Sequence, residues 1–234
     1  MSYQLKIEPK VMTQFPDYQV LVLYARNLDN VTASDFALKR LREVEQQQRH
    51  FFGVEKASTH PHIMAWREAY KNFGAKPSKY PCSVEALLNR VLKGSDLPDI
   101  NPVVNLYNAV SLKYVLPVGG EDWDFLESDL NLRFAEGDEP FVTSQDGEEV
   151  TSYPFKGEVI WADEKGVTCR CWNWRQGKRT QLTSATRNAY FVLDSLSPFT
   201  VEQLVAAGED LVSGLKTISP ACEARYQILE KPQS

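Results

Sequence analysis

The chain has 234 residues, of which 43% are hydrophobic and 24% are charged. This composition is enough to bury one core or two closely packed ones, and no apolar run approaches the length needed to span a bilayer. The formal net charge of −5 excludes a general electrostatic attraction to nucleic acid, so any contact with RNA would need a local basic patch.

The first part of the chain is dominated by helical patterns. The opening stretch, MSYQLKIEPKV, lacks the apolar core and cleavage site of a signal peptide, and the default expectation is therefore a cytoplasmic protein. Residues 19–28 are apolar and β-branched enough to form a strand. Thr32 and Ser34 can cap a helix that runs to about His50, and a second helix is predicted over 63–73.

Two further helices are predicted before residue 115. Ser83 can cap one that ends at Gly94. The other follows Pro102, and its apolar stripe consists of Val103, Tyr107, Val110 and Tyr114. A polar stripe at i, i+3 spacing on the same helix consists of Asn105, Asn108 and Ser111.

The second part of the chain is dominated by strand patterns. Strands are predicted at 130–134, 157–163, 166–174 and 189–193. The pair Gly119-Gly120 precedes an acidic stretch and predicts a turn, and Thr200 with Gln203 predicts a capping box for a last helix. Helices followed by strands favour an α+β fold with a mixed sheet flanked by helices.

The four cysteines are predicted to be reduced thiols; they are Cys82, Cys169, Cys171 and Cys222. Cys169 and Cys171 could begin a zinc site with His60 and His62, but the paired C-x-x-C spacing of zinc ribbons and fingers is missing. Buried thiols are the favoured interpretation, and no metal or cofactor is expected. A nucleophilic dyad of Cys82 with either histidine is an open alternative.

The segment from residue 165 to residue 193 has no acidic residue. Its six basic residues are Lys165, Arg170, Arg175, Lys178, Arg179 and Arg187. This composition predicts a local positive field, in which Trp172 and Trp174 could stack on a base while the cations hold phosphates. A core strand followed by a solvated turn explains the same composition, and both interpretations stay open.

Several stretches together resemble one known family; they include NPVVNLYNAVSLKY, LPVGG, LNLRFAEGDEPF, GEVIWAD and WNWRQGKRT. They are similar to the tRNA-binding, editing domain of the phenylalanyl-tRNA synthetase beta subunit, and more closely to its small free-standing bacterial homologues. The resemblance covers residues 60–195. It leaves 1–59 as an N-terminal strand–helix segment and 196–234 as a C-terminal helix and tail of one compact unit.

This resemblance implies a mixed α+β fold with a pocket between a sheet and helices. It also implies hydrolysis, in trans, of the ester of a mischarged aminoacyl-tRNA, with the aminoacylated acceptor end of tRNA as the partner and no cofactor. The family's NPVVDVTNYV becomes NPVVNLYNAV, which puts Asn105, Asn108 and Ser111 near the pocket wall. A pocket histidine of many bacterial synthetases falls at Gly119, and a late glutamate falls at or near Val192.

Hydrolysis without that histidine is physically reasonable, because an aminoacyl ester is reactive and needs mainly an oriented water and a stabilised oxyanion. The groups expected to provide these are Asn108, Asn173, Thr180 and the backbone at Gly119 and Gly120. If a general base exists, Glu121 or Asp122 is the candidate, the alternative being a solvated turn. The remaining substrate contacts are expected from Asn105, Ser111, Glu121, Arg170, Arg175, Lys178 and Arg179.

Strand parity divides the stretch CRCWNWRQGKRT, which begins at Cys169, into two faces. The first holds Cys169, Cys171 and Asn173; the second holds Arg170, Trp172 and Trp174. Small thiols beside Asn173 would leave room for a ligand, so the first face is predicted to look into the pocket. The basic turn over 175–180 would then lie at its mouth.

Alternatives to hydrolysis remain open at the level of sequence. The missing histidine and the negative net charge favour a non-catalytic module that binds an amino-acid-like ligand or RNA. A third reading is a hydrolase of small molecules, whose activity would depend far less on salt than that of an enzyme acting on tRNA. The oligomeric state, the amino acid and the tRNA are not predicted.

Overall fold

The computed structural model describes residues 3–229. Within this range its helices are α1 (Pro9–Gln14), α2 (Ser34–Phe52), α3 (Pro61–Asn72), α4 (Ser83–Leu92), α5 (Pro102–Tyr114) and α6 (Val201–Ile218). Short 3₁₀ turns occupy Ala57–Thr59 and Trp123–Phe125. Each predicted helix is therefore present. No helix in the described range has the length and apolar character needed to cross a membrane.

The strands fall into two sheets and a separate hairpin. They are β1 (Leu5–Ile7), β2 (Gln19–Arg26), β3 (Val118–Asp122), β4 (Leu130–Phe134), β5 (Phe141–Gln145), β6 (Glu148–Ser152), β7 (Val159–Asp163), β8 (Gly166–Arg170), β9 (Arg175–Gln176), β10 (Ala189–Ser195) and β11 (Glu223–Ile228). The predicted α+β class is confirmed, with the strands divided between two sheets.

The four-stranded sheet is antiparallel, with the order β11-β2-β10-β3. Val192 of β10 pairs with Val22 of β2 on one side and with Gly119 of β3 on the other. Every residue of β10 is buried, which agrees with its apolar sequence and its central place. The sheet leaves β3 at one edge, next to helix α5.

The five-stranded sheet has the order β1-β4-β7-β8-β9 and is mixed, because β1 runs parallel to β4 while the other pairs are antiparallel. Strands β5 and β6 form a separate hairpin. Asp146 and Gly147 connect them, with φ of 52° and 86°. This Asp-Gly pair is a common signal for a two-residue hairpin turn, although the hairpin is absent from the predicted elements.

Opposite faces of the four-stranded sheet contribute to two cores. Leu23 and Phe191 pack on one face with side chains of α5 and α6. Val22 and Tyr190, which are next to them in sequence, belong to the other core, together with Leu132 of the five-stranded sheet. This alternation is the consequence of strand geometry, since successive side chains point to opposite faces. The second core is therefore shared by the two sheets.

The helix that matters most for the pocket, α5, begins with a strong local signal. The side chain of Asn101 accepts a hydrogen bond from the Val104 N–H at 3.0 Å, and Pro102 occupies the first turn. In α6, Thr200 and Gln203 form the predicted capping box. Both helices are thus fixed at their N-terminal ends by residues that are recognisable in the sequence.

The prediction of a turn at Gly119-Gly120 is wrong, because both residues lie in β3. Glycine disfavours a strand interior on propensity alone, but close packing explains it here. A Cβ atom at Gly120 would come within 2.7 Å of ring carbons of Phe191. The strand needs glycine at this position so that the neighbouring aromatic ring can approach the backbone.

Candidate functional site

A pocket lies beside the edge strand β3, between the two sheets and the helices α4 and α5. Its cavity volume is about 130 Å³. A protein cavity of roughly 150 Å³ is large enough to hold benzene. The pocket therefore has the size of an amino-acid side chain, and its wall carries both tryptophan rings and carboxyl groups.

One wall of the pocket is the paired face of β3 and β10. Gly119 lies opposite Val192, and Glu121 lies opposite Tyr190. All four line the pocket, together with Asp194 two residues further along β10. Glu121 is only 4% exposed, so the solvated-turn interpretation of this residue is wrong. Strand alternation thus places two carboxyl groups on one face of a buried sheet.

A second wall is the turn that follows β8. The predicted strand over 166–174 ends at Arg170, because Cys171 and Trp172 adopt positive φ of 43° and 64°. The Cys171 N–H donates to a carboxylate oxygen of Glu158 at 2.9 Å, which holds the turn. The predicted division into two faces is wrong, since Trp172 lines the pocket together with Asn173. Asn173 itself occupies the predicted place.

A chain of hydrogen bonds runs through Asn173. Its Oδ1 accepts from the Tyr70 hydroxyl at 2.9 Å, and its Nδ2 donates to Asp194 Oδ2 at 3.1 Å. The Tyr18 hydroxyl donates to the other carboxylate oxygen of Asp194 at 2.6 Å. Burial nevertheless raises the pKa of Asp194 to about 7, against the effect of these two bonds. Asp194 is therefore poised to exchange a proton near neutral pH.

The other pocket carboxyl group, Glu121, accepts a short hydrogen bond from the Thr180 hydroxyl. Burial raises the pKa of Glu121. The hydroxyls of Tyr190 and Thr168 lie beside its carboxyl group, yet both lack a partner of normal geometry in the described part of the chain. Thr180 does not line the pocket, contrary to its predicted place, and its contact is with Glu121.

Of the predicted polar stripe on α5, only Asn108 lines the pocket. Asn105 donates to Asp99 Oδ1 at 2.7 Å, and Ser111 donates to the Leu116 carbonyl at 2.6 Å. The pocket places predicted for Asn105 and Ser111 are therefore wrong. Three residues of a helix advance by about 300°, so the three side chains fan out over about 120° and do not share one direction.

The two glycines of β3 face opposite ways. Gly119 lines the pocket, and a Cβ atom there would lie 3.0 Å from Nε2 of Gln176. That side-chain amide donates to the carbonyl of Gly120 at 3.0 Å and thereby ties β9 to β3. Gly120 points instead toward Phe191 and the helix-side core, so of the two predicted backbone positions only Gly119 borders the cavity.

Two of the predicted RNA-binding arginines are engaged in buried ion pairs. Arg170 bonds Glu158 through Nε at 2.9 Å and through a terminal nitrogen at 2.7 Å. Arg179 bonds Asp163 at 2.9 and 2.6 Å. The acids come from a segment of the chain before residue 165. They neutralise cations that the composition of 165–193 alone presents as unopposed, so this part of the predicted positive field is wrong.

The other two predicted cations differ from each other. Lys178 pairs with Glu149 at 2.9 Å on the surface and does not reach the pocket. Arg175 lines the pocket, and its guanidinium lies 5.9 Å from the ring centroid of Trp174. Within residues 3–229, Arg175 forms no ion pair with an acid. It is the predicted cation that remains available at the pocket.

The surroundings of the cysteines and of His62 indicate a structural role for these side chains. All four thiols are free and buried. Burial raises the pKa of Cys82 to about 12 and lowers the pKa of His62 to about 4, so a thiolate–imidazolium dyad is disfavoured. His62 Nδ1 bonds the Val115 carbonyl at 2.8 Å. Residues 3–229 contain no group of three His, Cys, Asp or Glu side chains arranged for a metal.

Asp194 and Gln176 are among the pocket residues that the sequence does not predict. Asp194 ends the apolar run YFVLD, and a lone acid inside a fully buried strand is the signal that could have revealed it. Gln176 follows the turn after Trp174 and carries no such signal. Its role depends on contact with β3, which lies more than fifty residues earlier in the chain.

Comparisons with known proteins place this geometry in context. The model of the B3/4 domain family matches residues 65–206, which is more than half of the chain. No curated protein matches it. A similar solved structure is an N-terminal fragment of the phenylalanyl-tRNA synthetase beta-subunit from Pyrococcus horikoshii, with 11% sequence identity and a TM-score of 0.46. The similarity covers 96% of this chain and 51% of that fragment, so the chain spans about half its length.

Proposed function

Because the chain belongs to the B3/4 domain family, we propose that it hydrolyses, in trans, the ester of a mischarged aminoacyl-tRNA. The observation that carries this proposal is the meeting of Asn108, Asn173 and Gly119 around one pocket of amino-acid size. The family match supports the synthetase-related context that the sequence motifs indicate. The hydrolytic chemistry is argued from the pocket itself.

The pocket holds groups suited to the hydrolysis of a reactive ester. Asn108 forms no side-chain hydrogen bond to another residue within 3–229 and lines the cavity, so its amide is free to donate to the ester carbonyl oxygen. Asp194, held by Tyr18 and Asn173, can take a proton from an attacking water at neutral pH. Asp122 is no candidate for this step, since it accepts the hydroxyl of Thr186 instead.

In the proposed reaction, water oxygen bonds to the ester carbonyl carbon while Asp194 accepts the proton of the water. The Asn108 amide stabilises the negative oxygen of the tetrahedral intermediate. Collapse breaks the bond to the ribose oxygen, which takes up the proton. The products are a free amino acid and a tRNA with its terminal ribose diol restored. Arg175 at the pocket is positioned to contact a phosphate of the acceptor end.

The test is a deacylation panel in which the protein is incubated with mischarged tRNAs that carry radiolabelled amino acids. Wild-type protein is expected to release at least one amino acid above the buffer rate. Asn108→Ala and Asn173→Ala should each lower that release by about tenfold to a hundredfold. Glu149→Gln, which alters an exposed ion pair away from the pocket, is the matched control. Release at the buffer rate for every tRNA contradicts the proposal.

The second candidate is a module that binds a small amino-acid-like ligand without turnover. The neutralisation of Arg170, Lys178 and Arg179 by acids favours this function, because it weakens the electrostatic attraction expected for RNA. Saturable binding of a free amino acid with no deacylation in the panel would support it. A steep loss of activity with rising salt would instead support use of tRNA.

A further inference from the structure

The most unusual group in the pocket is the carboxyl group of Glu121. It is 4% exposed and, among residues 3–229, it forms no ion pair. The cation whose charge acts on it, Arg179, is bound by Asp163 through two hydrogen bonds. A buried carboxylate without a counter-ion is costly, which is why burial raises the pKa of Glu121.

The surroundings of Glu121 are nevertheless prepared for a negative charge. Thr180 already donates to one carboxylate oxygen. The hydroxyls of Tyr190 and Thr168 lie beside the same group and are both buried without a partner of normal geometry in the described segment. Three hydroxyl donors around one carboxyl group favour its ionised form once a cation arrives, because such charge-assisted hydrogen bonds are stronger than neutral ones.

The walls near this group suit a cation as well. Tyr107 and Tyr190 line the pocket beside Glu121, and the rings of Trp161, Trp172 and Trp174 line the remainder. Aromatic faces attract ammonium groups by electrostatics, and sites for organic cations combine such rings with a carboxylate. The cavity thus contains an aromatic lining and an acid. Arg175 also lines it but forms no ion pair with Glu121 in residues 3–229, and Arg179, whose charge acts on Glu121, is bound by Asp163.

We propose that the pocket selects a ligand with a primary ammonium group and that Glu121 is its counter-ion. This deepens the proposed function and rests on it for the natural substrate, since an aminoacyl ester carries an α-ammonium group. Esters whose amino group is acylated would be rejected, because a neutral amide supplies no charge. Asp194 is less suited to be the counter-ion, because both of its carboxylate oxygens already accept hydrogen bonds. Its backbone lies four residues, or about 13 Å, along β10 from Tyr190, the strand partner of Glu121.

The test is calorimetric binding with two matched pairs of small molecules. Benzylamine is compared with benzyl alcohol, and alaninamide with lactamide; each pair differs mainly by an ammonium group in place of a hydroxyl. The wild-type protein is expected to bind the amine of at least one pair about tenfold more tightly than the alcohol. Glu121→Gln should remove that preference, and Glu149→Gln should keep it.

Proton exchange gives a second readout that a merely structural role would not change. Because an arriving cation favours the carboxylate, the amine should release protons on binding, and its affinity should rise with pH while Glu121 of the free protein still holds its proton. The titratable or charged neighbours of Glu121 are Tyr107, Tyr190, Cys169 and Arg179. Burial raises the pKa of both tyrosines and of the thiol, so none of them loses its proton near neutral pH. Titrations in two buffers of different ionisation enthalpy count the protons, and Asp194→Asn removes the contribution of the other acid.

Equal affinities within both pairs, or no binding of either amine, would overturn the inference. So would an amine preference that survives in Glu121→Gln but disappears in Asp194→Asn. If Glu121→Gln fails to fold, equal affinities of alaninamide and N-acetylalaninamide for the wild-type protein would overturn the inference, and proton release that persists in Asp194→Asn would support Glu121 as the counter-ion. Neither ligand requires tRNA or hydrolysis, so a failed deacylation panel and a failed amine preference remain separate outcomes.

Discussion

The buried acids of the two sheets differ in whether they have a cationic partner. At the five-stranded sheet, Glu158, which directly precedes β7, is paired with Arg170 of β8, and Asp163 of β7 is paired with Arg179. On the pocket face of the four-stranded sheet, Glu121 and Asp194 lie without a cationic partner among the described residues and carry raised pKa values. Paired acids neutralise charges and hold a turn. A buried acid without a cationic partner favours the uptake of a proton or the binding of a cation, and binding and catalytic sites use this property.

Basic residues that are close together in the sequence need not leave a free positive charge in the fold. The acid-free segment from residue 165 to residue 193 supplies the cations of the five-stranded sheet, and most of them meet acids from elsewhere in the chain. The two pocket acids of the four-stranded sheet come from different strands, Glu121 from β3 and Asp194 from β10. Among the described residues, the pocket face of the four-stranded sheet therefore carries acids without a cationic partner, whereas the acids Glu158 and Asp163 of the other sheet are paired.

The largest effect is expected from breaking a paired acid. Glu158→Gln leaves the Arg170 guanidinium, whose side chain is 11% exposed, without its counter-ion. It also weakens the bond to the Cys171 N–H that holds the turn. We expect a loss of about 3–5 kcal/mol in the free energy of unfolding, measured by urea denaturation.

The control for this variant is the exposed pair of Lys178 and Glu149, whose side chains are 48% and 58% exposed. Glu149→Gln is expected to change the free energy of unfolding by less than about 1 kcal/mol. Similar losses of the free energy of unfolding for the buried and the exposed variant would mean that ion pairing of buried acids does not distinguish the five-stranded sheet from the four-stranded one.

An intermediate effect is expected from neutralising an unpaired acid. Burial raises the pKa of Asp194 to about 7, whereas aspartate in an unfolded chain titrates near 3.9. The folded state therefore holds an extra proton between about pH 4 and pH 7. This group makes stability fall with rising pH over that interval, with a limiting slope of about 1.4 kcal/mol per pH unit.

Asp194→Asn is expected to flatten this dependence, which is measured by urea denaturation at a series of pH values. The same variant should lower deacylation by roughly a hundredfold or more, and the wild-type rate should rise through about pH 7. If Asp194→Asn changes neither the pH dependence of stability nor that of deacylation, Asp194 has only a structural role, and the contrast between the two sheets is lost.

The smallest effect sharpens the contrast between the two faces of β3. Gly120→Ala forces a Cβ atom against the buried ring of Phe191 and is expected to cost about 1–3 kcal/mol of stability. Gly119→Ala meets only the end of the flexible Gln176 side chain, so its cost should stay below about 1 kcal/mol. Its effect should appear in ligand affinity, because the added methyl group enters the pocket. Thermal or urea unfolding combined with binding titrations distinguishes the two variants.

The helices and the central strands follow from local patterns in the sequence. Apolar periodicity and caps identify α2 to α6, and continuous apolar runs identify β2 and β10. The resemblance of the motifs identifies the family and brings Asn108, Asn173 and Gly119 into consideration before any geometry is known. These features depend on neighbours that are close in sequence or on short motifs.

The remaining features depend on contacts between distant segments, which no local pattern encodes. Trp172 leaves the strand because Glu158 binds the preceding N–H, so parity fails at that point. Arg179 is neutralised by an acid from another strand. Asp194 becomes a pocket residue only because β10 lies next to β3. Burial changes the chemistry of these groups, and burial is decided by the whole fold.

The central place of β10 also has a consequence for the order of folding. It lies between β2, near the start of the chain, and β3, so the pocket wall cannot form until the chain has been synthesised past Ser195. Pairings between such distant segments close long loops and fold slowly. We expect that β2 stays unpaired with β10 during synthesis until β10 has been made. The pairing of these two strands, which buries the apolar side chains of β2, is then the late, rate-limiting step of folding.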